Sequence, residues 1–367
     1  MKRILVFLLG PLLIIGLGSC GLFRANKFKY EPIVKQIPKL EIEILLQDST
    51  LNVRALELIY ETETLVFLTS DGRMGSIRLD AESNSKQLPI ESLLDLAIVN
   101  DSIPLNFRAL SARKKAGFGI TIGSPALIYN LDLNEGTLVY QENHPKAFYD
   151  SMEFWNDQEG IAIGDPTDDC MSVIITRDGG NSWTKLSCND LPKAKEGEAA
   201  FAASDTNIAI VGDHTWVATG GKASRILYSP DKGRTWEVYE TPIVQGLETT
   251  GMYSIDFYDE KNGFAIGGDY TKAADSSANK IRTTDGGKTW QLVAQSQSPG
   301  YRSCVQYVPN SNAKELVAIG FKGIDYSNDA GESWSHLSDE GFYTIRFLND
   351  SVAYAAGSKR IAKLNFR

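Results

Sequence analysis

From about Leu40 onward, short apolar runs alternate with clusters of Gly, Asn and Asp. Runs of this length, rich in β-branched and aromatic residues and split by turn formers, predict strands joined by tight turns. One run recurs in the same shape: LVFLTSDG from Leu65, GFGITIGS from Gly117, GIAIGDPT from Gly160, NIAIVGDH from Asn207, GFAIGGDY from Gly263, LVAIGFKG from Leu316 and VAYAAGSK from Val352. Each is read as the second strand of a repeating unit. The spacing, roughly 35 to 55 residues, suits a four-stranded propeller blade. The chain is therefore expected to be all-β, a seven-bladed β-propeller.

The pattern also predicts how the ring closes. The last unit offers Tyr343–Leu348, Val352–Ala356 and Ile361–Phe366, which is one strand short. The first candidate strand, Leu40–Leu46 (LEIEILL), stands alone before the first unit begins at Val53. It is expected to serve as the outer strand of the last blade, which leaves no gap in the ring.

A second repeat sits on the first. Thr176–Trp183 (TRDGGNSW), Ser229–Trp236 (SPDKGRTW), Thr283–Trp290 (TTDGGKTW) and Ser327–Trp334 (SNDAGESW) share one pattern, [Thr/Ser]-x-Asp-x-Gly-x-[Ser/Thr]-Trp. Asp178, Asp231, Asp285 and Asp329 are suited to accept backbone N–H groups a few residues on and close a turn. The Gly supplies a positive φ, and Trp183, Trp236, Trp290 and Trp334 each bring a large apolar body with one donor. These residues read as structural fasteners, since four separate turns cannot converge on one substrate. The pattern resembles the Asp-box, or BNR repeat, of sialidases, other glycan hydrolases, sortilin-like receptors and photosystem II assembly factors. In those families the box is a non-catalytic turn between the third and fourth strands of a blade. The resemblance implies a propeller and does not imply an enzyme.

The first residues carry a different signal. Lys2 and Arg3 precede an apolar run, Ile4 to Leu17, and then Leu17-Gly18-Ser19-Cys20. A basic start, a short apolar core and small residues make a secretory signal, and the run is short for a membrane span. LGSC resembles a bacterial lipobox, which implies cleavage before Cys20 and lipidation of its thiol. The expected organisation is a signal peptide over 1–19, a lipid-anchored linker over 20–39 and the propeller over 40–367. The expected place is the bacterial cell envelope, facing the periplasm. Cys170 and Cys188 then flank the third and fourth strands of one unit with the box turn about midway. That spacing sets them opposite each other across a hairpin and predicts a disulfide. Cys304 is expected as a buried thiol on an inner strand.

Composition narrows the partners. The formal net charge is −9, which argues against nucleic acid. No Cys/His cluster suggests a metal, and no nucleotide-binding or nucleophile-elbow motif is found, so no cofactor is expected.

Candidate chemistry gathers on the face opposite the box turns. Lining up VRALEL, FRALSA, YDSMEF, AFAASD, MYSIDF, YRSCVQ and FYTIRF as inner strands puts Arg54, Arg108, Asp150, Tyr253, Arg302 and Tyr343 at comparable positions, with Tyr149 beside Asp150 and Phe201 in the fourth unit. Glu198 enters on the link before Phe201, and Asp165, Asp213, His214 and Asp269 follow second strands. Arginines, tyrosines and carboxylates at one channel mouth suggest recognition of an anion. Sialidases also use an arginine triad with a Tyr–Glu pair, but Phe107-Arg108-Ala109-Leu110 lacks the proline of their Arg-Ile-Pro segment. The whole domain resembles bacterial seven-bladed Asp-box proteins through GIAIGDPTDD, GEAAFAAS, GFAIGGDYT and GYRSCVQYVP. The reading is a monomeric, lipid-anchored binding or assembly module for a protein or glycan. The alternative is a sialidase-like glycoside hydrolase, with Asp150 and Glu198 as its first candidate acids.

Overall fold

The structure is a computed structural model that describes residues 37–79, 93–94, 99–100, 103–113, 116–131 and 136–367. Cys20 and the expected signal and anchor segments lie outside the described residues. Strands dominate, and the helical content described is two 3-10 turns, Tyr60–Thr62 and Tyr270–Lys272. The strands form six large sheets and one two-stranded ladder, all with antiparallel neighbours. Seven strands touch one another in a closed cycle, from Leu40–Ile59 through Phe107–Arg113, Tyr149–Phe154, Ile208–Val211, Thr250–Phe257, Cys304–Tyr307 and Thr344–Phe347 back to Leu40–Ile59. The fold is a β-propeller with those strands around its axis.

The seven-stranded sheet carries the closure. Leu40 lies opposite Phe366 and Ile44 opposite Ala362, so the early strand does pair with the last one, Ser358–Phe366. It is not a separate strand. It continues through a register break between Gln47 and Asn52 into Val53–Ile59, which pairs with Thr64–Thr69. No Gly or Pro interrupts the stretch. Asp48 instead folds the break locally, accepting from Thr50 N at 2.8 Å and Thr50 Oγ1 at 2.7 Å. The core lies between neighbouring sheets rather than within any one of them. Phe118 and Ile128 of one sheet, for example, pack with Met152, Ile174 and Trp183 of the next.

The four repeated stretches fold alike. In the first, Asp178 Oδ1 accepts from Thr176 Oγ1 and Ser182 N, both at 2.9 Å, and Oδ2 accepts from Ser182 Oγ at 2.6 Å. Asp231, Asp285 and Asp329 hold the same three partners, so the main backbone donor is four residues on. The Gly two residues after each Asp has φ between 75° and 89°. It also needs to be Gly for space: a Cβ on Gly180 would meet Phe118 of the preceding sheet at 2.2 Å, and one on Gly331 would meet Phe264 at 2.2 Å. Each turn therefore latches its sheet onto the one before. Each is also bonded to the loop between first and second strands, as in Gly179 N to Gln158 O at 2.8 Å and Lys232 N to Asp213 O at 2.9 Å. These loops share one end of the propeller.

The fourth sheet departs from expectation. Its first strand is Ile208–Val211 and its second His214–Ala218, so NIAIVGDH is an inner strand rather than a second one. Asp213 and His214 consequently sit at the box-turn end. His214 Nδ1 lies 2.6 Å from the Tyr228 hydroxyl, and Asp213 is 3.3 Å from Lys232 Nζ.

Candidate functional site

Four first strands break register at the same level: between Val53 and Ala55, Phe107 and Ala109, Tyr149 and Ser151, and Met252 and Ser254. The extra residues are Arg54, Arg108, Asp150 and Tyr253. A bulge leaves its extra residue outside the ladder and re-aims the side chain. All of these line one cavity of about 470 Å³, joined by Tyr343, Asp165, Phe201, Tyr270, Tyr301, Ser303 and Phe321. Asp165, Tyr270 and Phe321 come from the loops between second and third strands, so the cavity opens at the end away from the box turns.

Its floor is the stretch that the sequence pattern presents as the fourth inner strand. Phe201–Asp205 alternates like a strand but pairs with nothing in a ladder. It crosses the axis instead. Ala203 O accepts from Arg54 at 2.8 Å, and Ala202 O from Arg108 at 3.4 Å. The Asp205 carboxylate takes Leu110 N at 2.7 Å, Met152 N at 3.1 Å and Ser151 Oγ at 3.0 Å. Ser204 Oγ donates to Ser303 O at 2.6 Å, and Ser204 O accepts from Thr344 Oγ1 at 2.8 Å. Asp205 reaches these partners with φ at 59°, a left-handed conformation that Asp tolerates. The segment plugs the channel and divides it in two.

Above the plug, Asp150 and Arg108 act on each other through space without a direct ion pair. Among the described residues neither Arg54 nor Arg108 has a carboxylate partner, and Arg54 Nε has no hydrogen bond. Arg54 instead lies 3.9 Å over the Tyr343 ring. Burial lowers the pKa of both guanidinium groups, that of Arg108 to about 10, with the neighbouring Arg54 charge as its second cause. Asp150 is fully buried, and neither carboxyl oxygen has a hydrogen-bond partner. The nearby Ala202 N–H favours its ionised form but falls outside hydrogen-bonding geometry. Burial, then Asp165, pushes Asp150 well above the usual carboxylate range. Burial pushes Asp165 up to about 6, against one hydrogen bond from Ala200 N at 2.9 Å. The other wall is aromatic: Phe201 stacks on Tyr253 at 3.9 Å, and Tyr301 meets Tyr253 edge-on at 4.7 Å.

Not every expected residue arrives there. Arg302 is one position out of line, because Cys304 pairs with Ile319 and the bulge level falls on Ser303. A slip of one residue turns the side chain to the other side. Arg302 is buried in an ion pair with Asp325 at 2.6 Å, and Asp325 also meets His336 at 3.0 Å. Glu198 is likewise spent, paired with Arg225 at 2.6 Å and accepting from Thr219 Oγ1 at 2.7 Å. It does not line the cavity with Asp150. Tyr149 faces the core between sheets, with its hydroxyl on Glu142 at 2.7 Å. Asp269 caps the Tyr270–Lys272 turn through Thr271 N at 3.0 Å. Tyr301, Ser303 and Phe321 escaped the sequence reading, although the aromatic just ahead of Arg302 was a usable signal. Cys170 and Cys188 are bonded at 1.95 Å, and Cys304 is a buried free thiol.

A family model described as BNR/Asp-box repeat matches residues 281–292, the third of the repeated turns. No curated protein matches the chain. Among solved structures, "YCF48 bound to D1 peptide" is similar at 13% identity and a TM-score of 0.59, covering 90% of this chain and 97% of that one. YCF48 from Cyanidioschyzon merolae is similar at 10% identity and a TM-score of 0.61, covering 88% and 98%. The WD40 repeats of RRP9 are similar at 10% identity and a TM-score of 0.59, covering 90% and 99%. At these identities the likeness carries the β-propeller fold and no activity.

Proposed function

We propose that this chain is a binding or assembly propeller that holds a protein partner at the cavity above the plug. The observation that carries the reading is the pair of unpaired arginines, Arg54 and Arg108, beside an unpartnered Asp150 in a half-aromatic cavity. Buried polar groups are normally satisfied, so a set left open together points to something that completes it. The YCF48 relative, described as bound to a D1 peptide, supports a peptide-like partner over a glycan. In this reading the propeller is seven-bladed, counting Leu40–Ile59 in two blades because it pairs on both sides. All four repeated turns are Asp-boxes, and the domain spans 40–367. Residues 1–19 are a signal peptide, Cys20 is the lipid anchor, 20–39 is a linker, and the protein works as a monomer in the cell envelope, facing the periplasm.

The test is photocrosslinking in intact cells, with the full chain carrying a photoreactive residue at Tyr270 on the cavity rim. A protein adduct that disappears with Arg54→Met/Arg108→Met supports the reading, and an adduct that persists moves the site elsewhere. Hydrolysis is the second reading, favoured by one observation: Asp150 and Asp165 both face the cavity with their carboxyls held toward neutrality. Sugar release from a glycan panel, lost in Asp150→Asn, would establish it.

A further inference from the structure

We propose that the cavity receives the free C-terminal end of a partner chain, with an apolar or aromatic last side chain. This rests on the reading of the protein as a peptide-binding propeller and goes on to specify which part of the partner is bound.

The first reason is that the cavity is a dead end. Its floor is backbone, Ala202 and Ala203, tied to Arg108 and Arg54 from above and anchored below by the three bonds to Asp205. A chain that had to continue past the site could not thread the axis. A chain end can enter and stop.

The second reason is the sign of the charge. A polypeptide has two ends, one cationic and one anionic. Arg54 and Arg108 face the cavity without a carboxylate in ion-pairing reach among the described residues, while burial holds Asp150 and Asp165 toward neutrality and Glu248 is exposed, so an ammonium end meets a net positive wall there. A carboxylate matches the forked geometry of a guanidinium and supplies the partner that Arg54 Nε lacks.

The third reason is what stands beside the arginines. Asp150 is buried and both its oxygens lack partners. The last residue of a chain carries an amide N–H one carbon away from its carboxylate, so one ligand group can satisfy Asp150 while the other satisfies the arginines. A phosphate or sulfate ester offers only the second match and leaves Asp150 without a partner.

The fourth reason is the opposite wall. Tyr253 and Tyr301 form an apolar slot, and Tyr270 and Phe321 stand at its rim 48% and 41% exposed. Large apolar side chains left at the edge of a cavity mark contact surface. They face the side of the ligand where its last side chain would lie.

The experiment uses the full chain on beads with N-acetylated random heptapeptide pools. One pool ends in Phe as the free acid, a second ends in Phe as the amide, and a third ends in Gly as the free acid. The expected result is retention of the Phe acid pool about tenfold or more above the Phe amide pool. Arg54→Met/Arg108→Met should abolish that preference. Tyr270→Ser, at an exposed rim position, should weaken the Phe acid pool more than the Gly acid pool and guards against a misfolded arginine variant. Equal retention of acid and amide pools, still dependent on the arginines, overturns the chain-end assignment and leaves a peptide-binding cavity. No retention of any pool, while crosslinking to the partner still depends on the arginines, also overturns it and leaves the propeller's binding role standing.

Discussion

The plug leaves two cavities on one axis, and their polar groups are in opposite states. Below it lies a second cavity of about 420 Å³, bordered by Glu153, Asp205, Asp256, Gln306 and Arg346. It has as many carboxylates as the upper one, yet its charges are met. Arg346 holds Glu57 at 2.7 Å, Asp256 accepts from Tyr307 N at 2.6 Å and Phe257 N at 2.9 Å, and Glu153 accepts from Phe154 N at 2.9 Å. Above the plug, Arg54 and Asp150 keep open valences. Charge alone therefore does not mark the site. The lower set is completed by the fold itself, whereas the upper set keeps unpartnered polar atoms.

The strongest way to break this contrast is to remove the wall between the cavities. Asp205→Ala strands two backbone N–H groups and a hydroxyl drawn from two sheets. The expected loss is about 3–4 kcal/mol, read as a lower urea midpoint. Next, Arg346→Met leaves Glu57 with an unpaired, mostly buried charge. It should cost about 2–3 kcal/mol, less than a fully enclosed pair because Glu57 keeps some solvent contact. Arg54→Met should change stability by less than about 1 kcal/mol, since no ion pair is lost, while binding falls; unfolding midpoint and partner binding measured on the same variant separate the two effects.

Acidity sharpens the comparison further. Burial, then the charge of Glu57, pushes Glu153 up to about 7, and burial pushes Asp256 up to about 6. A carboxyl with a raised folded pKa binds its proton more tightly folded than unfolded, so its contribution to stability is present at low pH and fades as pH rises through the folded value. Stability should accordingly fall steadily between pH 4.5 and 7.5. Glu153→Gln should flatten that slope, and urea titrations across the range would read it. The box aspartates run the other way, held low by their hydrogen bonds, so their support is lost only at more acidic pH.

Much of this was legible because it is local. A turn sealed by one Asp, one Gly and two hydroxyls needs only eight consecutive residues, so its four copies announce themselves. The edge strand at Leu40 was legible because the last unit lacked a strand and only one run was unassigned. The upper ring was partly legible: Arg54, Arg108, Asp150, Tyr253 and Tyr343 recur at one level of the inner strands, and a bulge preserves that level. The fourth unit was not. AFAASD has the period of a strand, and period cannot distinguish an extended segment in a sheet from one laid across an axis. Taking it as the inner strand shifted the whole unit and carried Asp213 and His214 to the wrong end. Arg302 failed for a smaller reason, since its neighbours give no sign of a one-residue slip.

Sequence by itself determined the repeat, the turns, the all-β architecture and the end of the propeller at which Arg54, Arg108 and Asp150 gather, because each follows from spacing along a single strand or hairpin. Only the tertiary structure decided that the channel is blocked, that Glu198 and Arg302 are committed to Arg225 and Asp325, and that Arg54, Arg108 and Asp150 are left open. Whether a charge is met depends on residues from other sheets, brought within about 3 Å only when the ring closes, and no pattern along the chain encodes that distance.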